Sequence, residues 1–423
     1  MKKVLVSAYA CIPDRGSEEG NGWYYSSLIS QQGYEVYCLT RDVGKASIEQ
    51  KLREFPHPNL TFAFVTVPKW VDKAYTKGLI GLYFHYLYWQ WAAMKVAMRL
   101  DKKHAFDIIH HVSYTSLQLG SFLYKLKRPF IYGPVGGGQE APDSMRGYFK
   151  QYWVKEKMRS IVSSLMLRFN PGCYESIRHA NYVLTWNEDT RQMVRALGRT
   201  EGVENAFGGV GQYFVPAEPI HRTAHNTLQL VWVGRLMPRK ALELSLHGLS
   251  KVDPNIPVHL TIVGDGEMGQ YVPEYIAHYK LENRVTWVGQ VNYEQVKHYY
   301  RQADVFLFTS LRDTGPAQLM EAMAYSLPVV TLHLHGQAEL VDQSTGIRVP
   351  VTEPETVATG LAEAIEWMYH NEAKRIDMGQ NAFRFAQNQR WELKISRLVQ
   401  KYYQSLAKPN VDRADATSPI EEW

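Results

Sequence analysis

Short apolar runs alternating with helix-sized stretches organise this chain, and the pattern runs through twice. Residues 4–9, 35–40, 61–67, 107–110, 130–132 and 182–186 form a first series, and 228–233, 259–263, 285–288, 305–308 and 328–331 form a second. Runs of this length read as buried strands, and their separations leave room for crossover helices, which predicts parallel sheets in doubly wound α/β domains. The turn Gly208-Gly209-Val210-Gly211 and Pro216 separate the two series, so the connection is expected near 211–227. The predicted organisation is a first domain over 1–212, a second over 213–386, an amphipathic helix at 387–407, and a loose tail at 408–423.

Composition narrows the function classes. The formal charge is only +5 over 423 residues and no dense basic arm is present, which argues against nucleic acid as a partner. Cys11, Cys38 and Cys173 form no paired framework, favouring a reducing, cytoplasmic setting. The opening apolar run is broken by Pro13 and Asp14, as in a first strand rather than a secretion signal, and no uncharged run is long enough to span a bilayer. Residues 70–100 are unusual. Trp70, Tyr75, Tyr83, Phe84, Tyr86, Tyr88, Trp89 and Trp91 crowd a predicted helix flanked by Lys73, Lys77, Lys95 and Arg99. Three readings fit this segment: domain core, acceptor groove, or a peripheral contact with a membrane surface.

In an open α/β sheet ligands bind beyond the carboxyl ends of strands, so residues just after apolar runs are the candidates. After the first run, Gly16, Ser17 and Gly20 permit close approach, while Glu18 and Glu19 favour a hydroxyl-rich ligand. After 228–233, the segment Gly234-Arg235-Leu236-Met237-Pro238-Arg239-Lys240 offers cations for a diphosphate. Gly264 opens GDGEMG, a literal but isolated match to a dinucleotide fingerprint. After 305–308 come Asp313, the turn Thr314-Gly315-Pro316, and Ala317 at a helix start, with Glu321 one turn on. In the first half, His110 and His111 end a strand, and one of them is expected to line the cleft. Neighbouring residues on a strand point to opposite faces, and neither this pair nor His333 and His335 is completed to a ligand set, so no metal is expected.

With these motifs in view, the whole chain resembles the retaining glycosyltransferases of family 4, also called group 1. The resemblance runs from YACIPDRGSEEGNGW through GRLMPRK and GDGE to SLRDTGPAQLMEAMAYSLPVV and HGQAELV, the long segment resembling the family's EX7E signature. It implies a GT-B arrangement, two Rossmann-like domains facing across a cleft, with the helix at 387–407 crossing back to the first domain. It implies a nucleoside-diphosphate sugar, UDP- or GDP-linked, as donor substrate and no other cofactor. Arg235 and Lys240 would hold the diphosphate and Glu321 the ribose. Asp313, standing where the family's first glutamate stands, would face the transferred sugar's hydroxyls. Peptide N–H groups from Thr314 to Ala317 would assist, the loop at Gly16 and Ser17 would close on the donor, and His110 or His111 would stand near the reaction centre. The openings GSEEGNGW and GPVGGG resemble a branch linked to bacterial surface polysaccharide assembly, which implies a glycan or lipid-linked glycan acceptor. On this reading Asp313→Asn is expected to lower turnover far more than stability. A nucleotide-sugar epimerase or isomerase, and a noncatalytic sugar-nucleotide or glycan-binding protein, are the alternatives, separable by acceptor-dependent nucleotide release. Oligomeric state is not legible.

Overall fold

The structure, a computed structural model, describes residues 1–206, 208–222 and 226–406, without the Ser17 side chain. The tail expected at 408–423 lies outside the described residues.

Seven parallel strands build the first sheet: β1 (Lys3–Ala8), β2 (Glu35–Arg41), β3 (Leu60–Val65), β4 (Ile108–Ser113), β5 (Phe130–Val135), β6 (Tyr182–Thr185) and β7 (Val203–Asn205), in the order β3-β2-β1-β4-β5-β6-β7. Six more build the second: β8 (Leu228–Val233), β9 (Val258–Val263), β10 (Val285–Gly289), β11 (Val305–Phe308), β12 (Val329–His333) and β13 (Gly346–Pro350), in the order β10-β9-β8-β11-β12-β13. Every strand pairing is parallel. Strand order reverses direction between β1 and β4 in one sheet and between β8 and β11 in the other. A crevice opens at each such switch point, and the two crevices face each other.

Helices cover both faces of each sheet, because strands such as VLVSA and VFLF are buried on both sides. On the first sheet, Val4, Val36 and Ile108 look into one core and Leu5, Leu39 and Ile109 into the other. The aromatic segment divides between two environments. In the helix Gly78–His104, Tyr86 and Trp89 are fully buried against the sheet, whereas Phe84 and Trp91, together with Trp70 of the preceding helix, are exposed. Among the described residues no helix is long and apolar enough to cross a membrane.

Two crossings join the domains side by side. Val210 N–H donates to the Gln389 carbonyl (3.1 Å), and Trp391 N–H donates to the Val210 carbonyl (3.1 Å). Glycines are required here: a Cβ on Gly209 would stand 2.6 Å from the Trp391 ring, and one on Gly211 would stand 2.3 Å from the Tyr24 hydroxyl. The chain from Trp391 to Leu406 then lies on the first domain, with Trp391 stacked on Tyr24 (5.5 Å between centroids) and Ile395 and Tyr403 in the core beside Val4.

A third link was not visible in the sequence. Ala141, Met145, Tyr148 and Phe149, which follow β5 of the first sheet, are buried in the core of the second domain with Leu230, Leu244 and Leu260. Tyr148 bonds His247 (2.9 Å), and Ser144 donates to the Thr352 carbonyl (2.8 Å). Residues 141–149 are thus a strap from the first half of the chain, sewn into the second domain.

Candidate active site

A cavity of about 410 Å³ lies between the two switch points. The first domain lines it with Gly16, Glu18, Tyr114, Thr115, Gly136 to Gly138, Gln139 and Trp186, and the second with Arg239, Arg312, Asp313 to Ala317 and Glu321.

The charged centre is on the second-domain side. Asp313 sits in the loop after β11, and its Oδ2 accepts from Arg239 Nη1 (3.0 Å) and from Lys240 Nζ. Lys240 lies behind Asp313, buried, in the short turn Pro238–Lys240 that follows β8. Burial would raise the Asp313 carboxyl, but attraction to Lys240 and then Arg239 outweighs it and holds the group down to about 2. Burial pulls the Lys240 ammonium down to about 8 against the attraction of Asp313. One further cation, Arg312, reaches across the domain boundary. Its Nη2 donates to Glu156 Oε2 (3.1 Å) and its Nε lies 2.6 Å from Glu156 Oε1, a two-pronged pair that Arg159 joins from the same helix as Glu156.

Glu321 lies in the helix Ala317–Ala324. Its Oε1 accepts from the Tyr293 hydroxyl (2.7 Å) and its Oε2 from the Tyr300 hydroxyl (3.3 Å), and burial raises its carboxyl. The first domain comes close to this residue: a Cβ on Gly16 would stand 3.7 Å from Glu321 Oε1. Gly16 caps the helix Ser17–Gln31, so the opening loop of one domain lies beside the carboxylate of the other. The Thr314 turn is clamped in the same way. Asn187 Nδ2 donates to the Thr314 carbonyl (2.6 Å), and Thr314 Oγ1 donates to Gln139 Oε1 (3.1 Å). On the first-domain wall, Glu18 accepts from the Thr115 N–H (3.2 Å) and hydroxyl.

Two expectations need correction. Neither His110 nor His111 lines the cavity, because their alternation across β4 sends each into a different core. His110 donates from Nε2 to the Gly133 carbonyl (2.7 Å) and accepts from the Tyr403 hydroxyl (2.8 Å), while His111 Nε2 lies near the Tyr86 hydroxyl (3.3 Å). Burial lowers His110 to about 3 and His111 to about 4, so both are neutral at physiological pH. Arg235 and Lys240 do not stand together: Arg235 is exposed and lines a second cavity of about 550 Å³ with Gly264, Asp265 and Val291, and Arg239 is the arginine that joins Lys240 beside Asp313. Asp313 lines the cavity with its Oδ2 held by these two cations.

Gly264 is fixed by geometry. Its φ is +134°, and a Cβ there would stand 2.0 Å from the Gly234 carbonyl oxygen. We expect Gly264→Ala to destabilise the fold by roughly 3 kcal/mol through overpacking and backbone strain; a thermal midpoint equal to that of the unmodified protein would contradict this.

Sequence reasoning named Arg239 only as part of the segment after β8, and passed over Arg312, Glu156, Tyr293, Gln139 and Asn187. Asn187 had a signal, since it directly follows the run at 182–186 and caps the helix Glu188–Ala196 by accepting from Thr190 N–H (3.0 Å). Glu156 and Gln139 had none, because the partners that place them, Arg312 and Thr314, lie in the other domain.

The cation and carboxylate cluster beyond β8 and β11 stands in a segment with known relatives. Residues 217–385 match the family model Glycosyl transferases group 1. The amylovoran biosynthesis glycosyltransferase AmsK of Erwinia amylovora is 31% identical over 145 residues, 32% of this chain and 36% of that protein. The chain spans about two fifths of the length of the curated relatives it matches. Among solved structures, sucrose-phosphate synthase from Thermosynechococcus elongatus superposes with a TM-score of 0.67 at 17% identity, covering 96% of this chain and 100% of that one. HepE of Anabaena in complex with UDP superposes at 0.62 with 18% identity, covering 96% and 100%. The likeness extends over both domains, and the fold is GT-B. Among the described residues no group of three or more His, Cys, Asp or Glu is placed to hold a metal ion.

Proposed function

We propose that the protein is a retaining glycosyltransferase of the family 4 type, moving a sugar from a UDP- or GDP-sugar to a glycan or lipid-linked glycan in bacterial surface polysaccharide assembly. Its place is the cytoplasm, at the inner face of the membrane. The observation that carries this is the cavity itself, in which the Asp313–Lys240–Arg239 cluster and Glu321 face a first-domain wall of hydroxyl-binding groups. The match at 217–385, within the second domain, supports a sugar-nucleotide donor, and HepE, which shares the fold, is solved in complex with UDP.

In this reading the base and ribose enter between the cavity holding Arg235 and Gly264 and the Glu321 carboxylate. Cleavage of the sugar–phosphate bond builds negative charge on the diphosphate and positive charge at the anomeric carbon. Arg239, Lys240 and the peptide N–H groups of Thr314, Gly315 and Ala317 oppose the first; these are preorganised donors in a site partly closed to water. Asp313 orients both cations through Oδ2 and offers its other oxygen to a sugar hydroxyl. The acceptor hydroxyl, held by Glu18 and Gln118, attacks from the face the diphosphate leaves, and the departing phosphate takes its proton. The histidines, neutral and enclosed, support β4 instead of reacting. An epimerase would have no use for the acceptor wall.

Lys240 gives this mechanism a pH signature. Between about 8 and the ordinary lysine value of 10.5, the folded protein binds fewer protons than the unfolded chain at this group, so Lys240's own contribution to stability rises with pH. Its charge, needed at the diphosphate, is lost over the same window. We expect turnover to fall as pH rises through about 8 without a parallel loss of folding. A rate that stays flat well above pH 8 would contradict the role. The reading as a whole is tested by nucleoside diphosphate release across UDP-, GDP- and ADP-sugars: release that requires an acceptor supports transfer, and sugar interconversion without one supports an epimerase.

A further inference from the structure

The helix Trp153–Phe169 has two faces with opposite surroundings. At about 100° per residue, Glu156, Arg159 and Ser163 share one side. That side looks inward: Arg159 and Ser163 line the cavity, and Glu156 holds Arg312. Val154, Met158, Ile161, Leu165 and Phe169 fall within an arc of about 80° on the other side. All five are 47–68% exposed. One apolar residue on every turn, presented to solvent along the whole length of a helix, is a pattern that a water-facing surface does not need.

The charges beside this stripe are of one sign. Lys155, Lys157, Arg159 and Arg168 stand on the helix with a single acid, Glu156, which is buried and already paired. Lys155 and Arg168 flank the stripe, are exposed, and make no ion pair among the described residues. A second stripe lies at the same cavity. In the helix Gly78–His104, Leu79 and Tyr83 line the cavity, while Ile80, Phe84, Trp91 and Met98 share one exposed arc, with Lys95 over the Trp91 ring at 3.3 Å. The cavity is therefore edged on its first-domain side by two helices, each showing apolar residues and cations outward.

We infer that these two helices dock the protein on an anionic lipid surface, with the stripe of Trp153–Phe169 entering the bilayer boundary and the cavity opening beside it. Amphipathic helices with lysine and arginine at the margin of an apolar face bind such surfaces through both terms, buried apolar area and attraction to anionic headgroups. A second copy of the chain is disfavoured by the charges, since pairing the stripe with itself would bring Lys155 and Arg168 against their own kind. Docking has a consequence for the acceptor, which rests on the transferase reading: a saccharide carried on a membrane lipid would enter the cavity along the Arg159 side. Glu156 then ties the docked helix to Arg312, the neighbour of Asp313.

The test uses the full chain and vesicles without any sugar nucleotide, so its outcome is independent of the catalytic reading. The unmodified protein is expected to sediment with vesicles containing phosphatidylglycerol and to remain in solution with phosphatidylcholine alone. Ile161→Glu with Leu165→Glu, both exposed and outside the cavity, should lower the bound fraction at least about tenfold with an unchanged thermal midpoint. Lys155→Glu with Arg168→Glu should weaken binding in the same vesicles and remove its salt dependence. Failure of the unmodified protein to bind, or binding by the Ile161→Glu, Leu165→Glu variant at the unmodified level, overturns the proposal. So does a dimer in sedimentation velocity that the same variant disperses, which would make the stripe an interface between copies.

Discussion

Asp313→Asn is expected to lower kcat/KM for sugar transfer roughly 10²- to 10³-fold, the scale of losing a preorganised electrostatic contact in a closed site. The carboxylate does two things that an amide cannot. It holds Lys240 and Arg239 through charge-assisted contacts, and its single negative charge offsets one of their two, so the substitution leaves two cations side by side with Lys240 almost wholly buried. Breaking a buried pair from one side costs about 3–5 kcal/mol, and the thermal midpoint should fall along with activity. This departs from the sequence-based expectation that turnover would suffer far more than stability. The unmodified pair also has an acid limit. The Asp313 carboxyl is lowered in the fold from 3.8 to about 2, so its contribution is complete above the unfolded value and is lost as pH falls through that window. In the asparagine variant this acid-side contribution disappears, and the alkaline fall in residual activity moves to lower pH, because Lys240 has lost the charge that kept it protonated. A variant with unmodified transfer rate and midpoint would remove Asp313 from the site.

Glu321→Gln should separate binding from folding. Both carboxylate oxygens accept from tyrosine hydroxyls, at 2.7 Å and 3.3 Å, and an amide keeps one acceptor while a rotated hydroxyl accepts from its NH₂. Stability is expected to change by less than about 1 kcal/mol. Hydrogen bonds to a charged group contribute about 1.5–3 kcal/mol, so loss of the ribose contact should reduce kcat/KM roughly 10- to 100-fold, chiefly through the donor KM. A fall in kcat alone, with donor KM unchanged, would place Glu321 at the transferred sugar instead of the ribose.

Much of the scaffold was legible because buried parallel strands leave a plain trace. All eleven strands expected from apolar runs are present, and two were missed for identifiable reasons. β7 is only Val203–Asn205, and β13, GIRVP, is interrupted by glycine, arginine and proline. The rule that ligands gather beyond strand ends led directly to Gly16, the Asp313 to Ala317 turn and Glu321, all of which line the cavity. It failed at β4, where the residues that reach the cavity are Tyr114, Thr115 and Ser116, just past the two histidines. A strand's register against its neighbours decides where it ends, and sequence spacing does not carry that. The choice between Arg235 and Arg239 turned on the short helical turn Pro238–Lys240, which folds Arg239 back onto Asp313. Contacts between domains were the least legible. Glu156–Arg312 and Asn187–Thr314 join residues more than 120 positions apart, and the strap's Tyr148 bonds His247, 99 positions on, all through side chains with no local signature.

The central claim is that one cavity binds a sugar nucleotide from the second domain and an acceptor hydroxyl from the first. The most direct measurement is the product formed from a nucleotide sugar labelled with ¹³C at the anomeric carbon, incubated with the protein and a lipid-linked glycan acceptor, then read by mass and by the anomeric coupling. The account predicts an acceptor heavier by one labelled sugar, an anomeric configuration equal to the donor's, and one nucleoside diphosphate released per transfer. An unchanged acceptor beside an interconverted sugar nucleotide, or a product of inverted configuration, would contradict it.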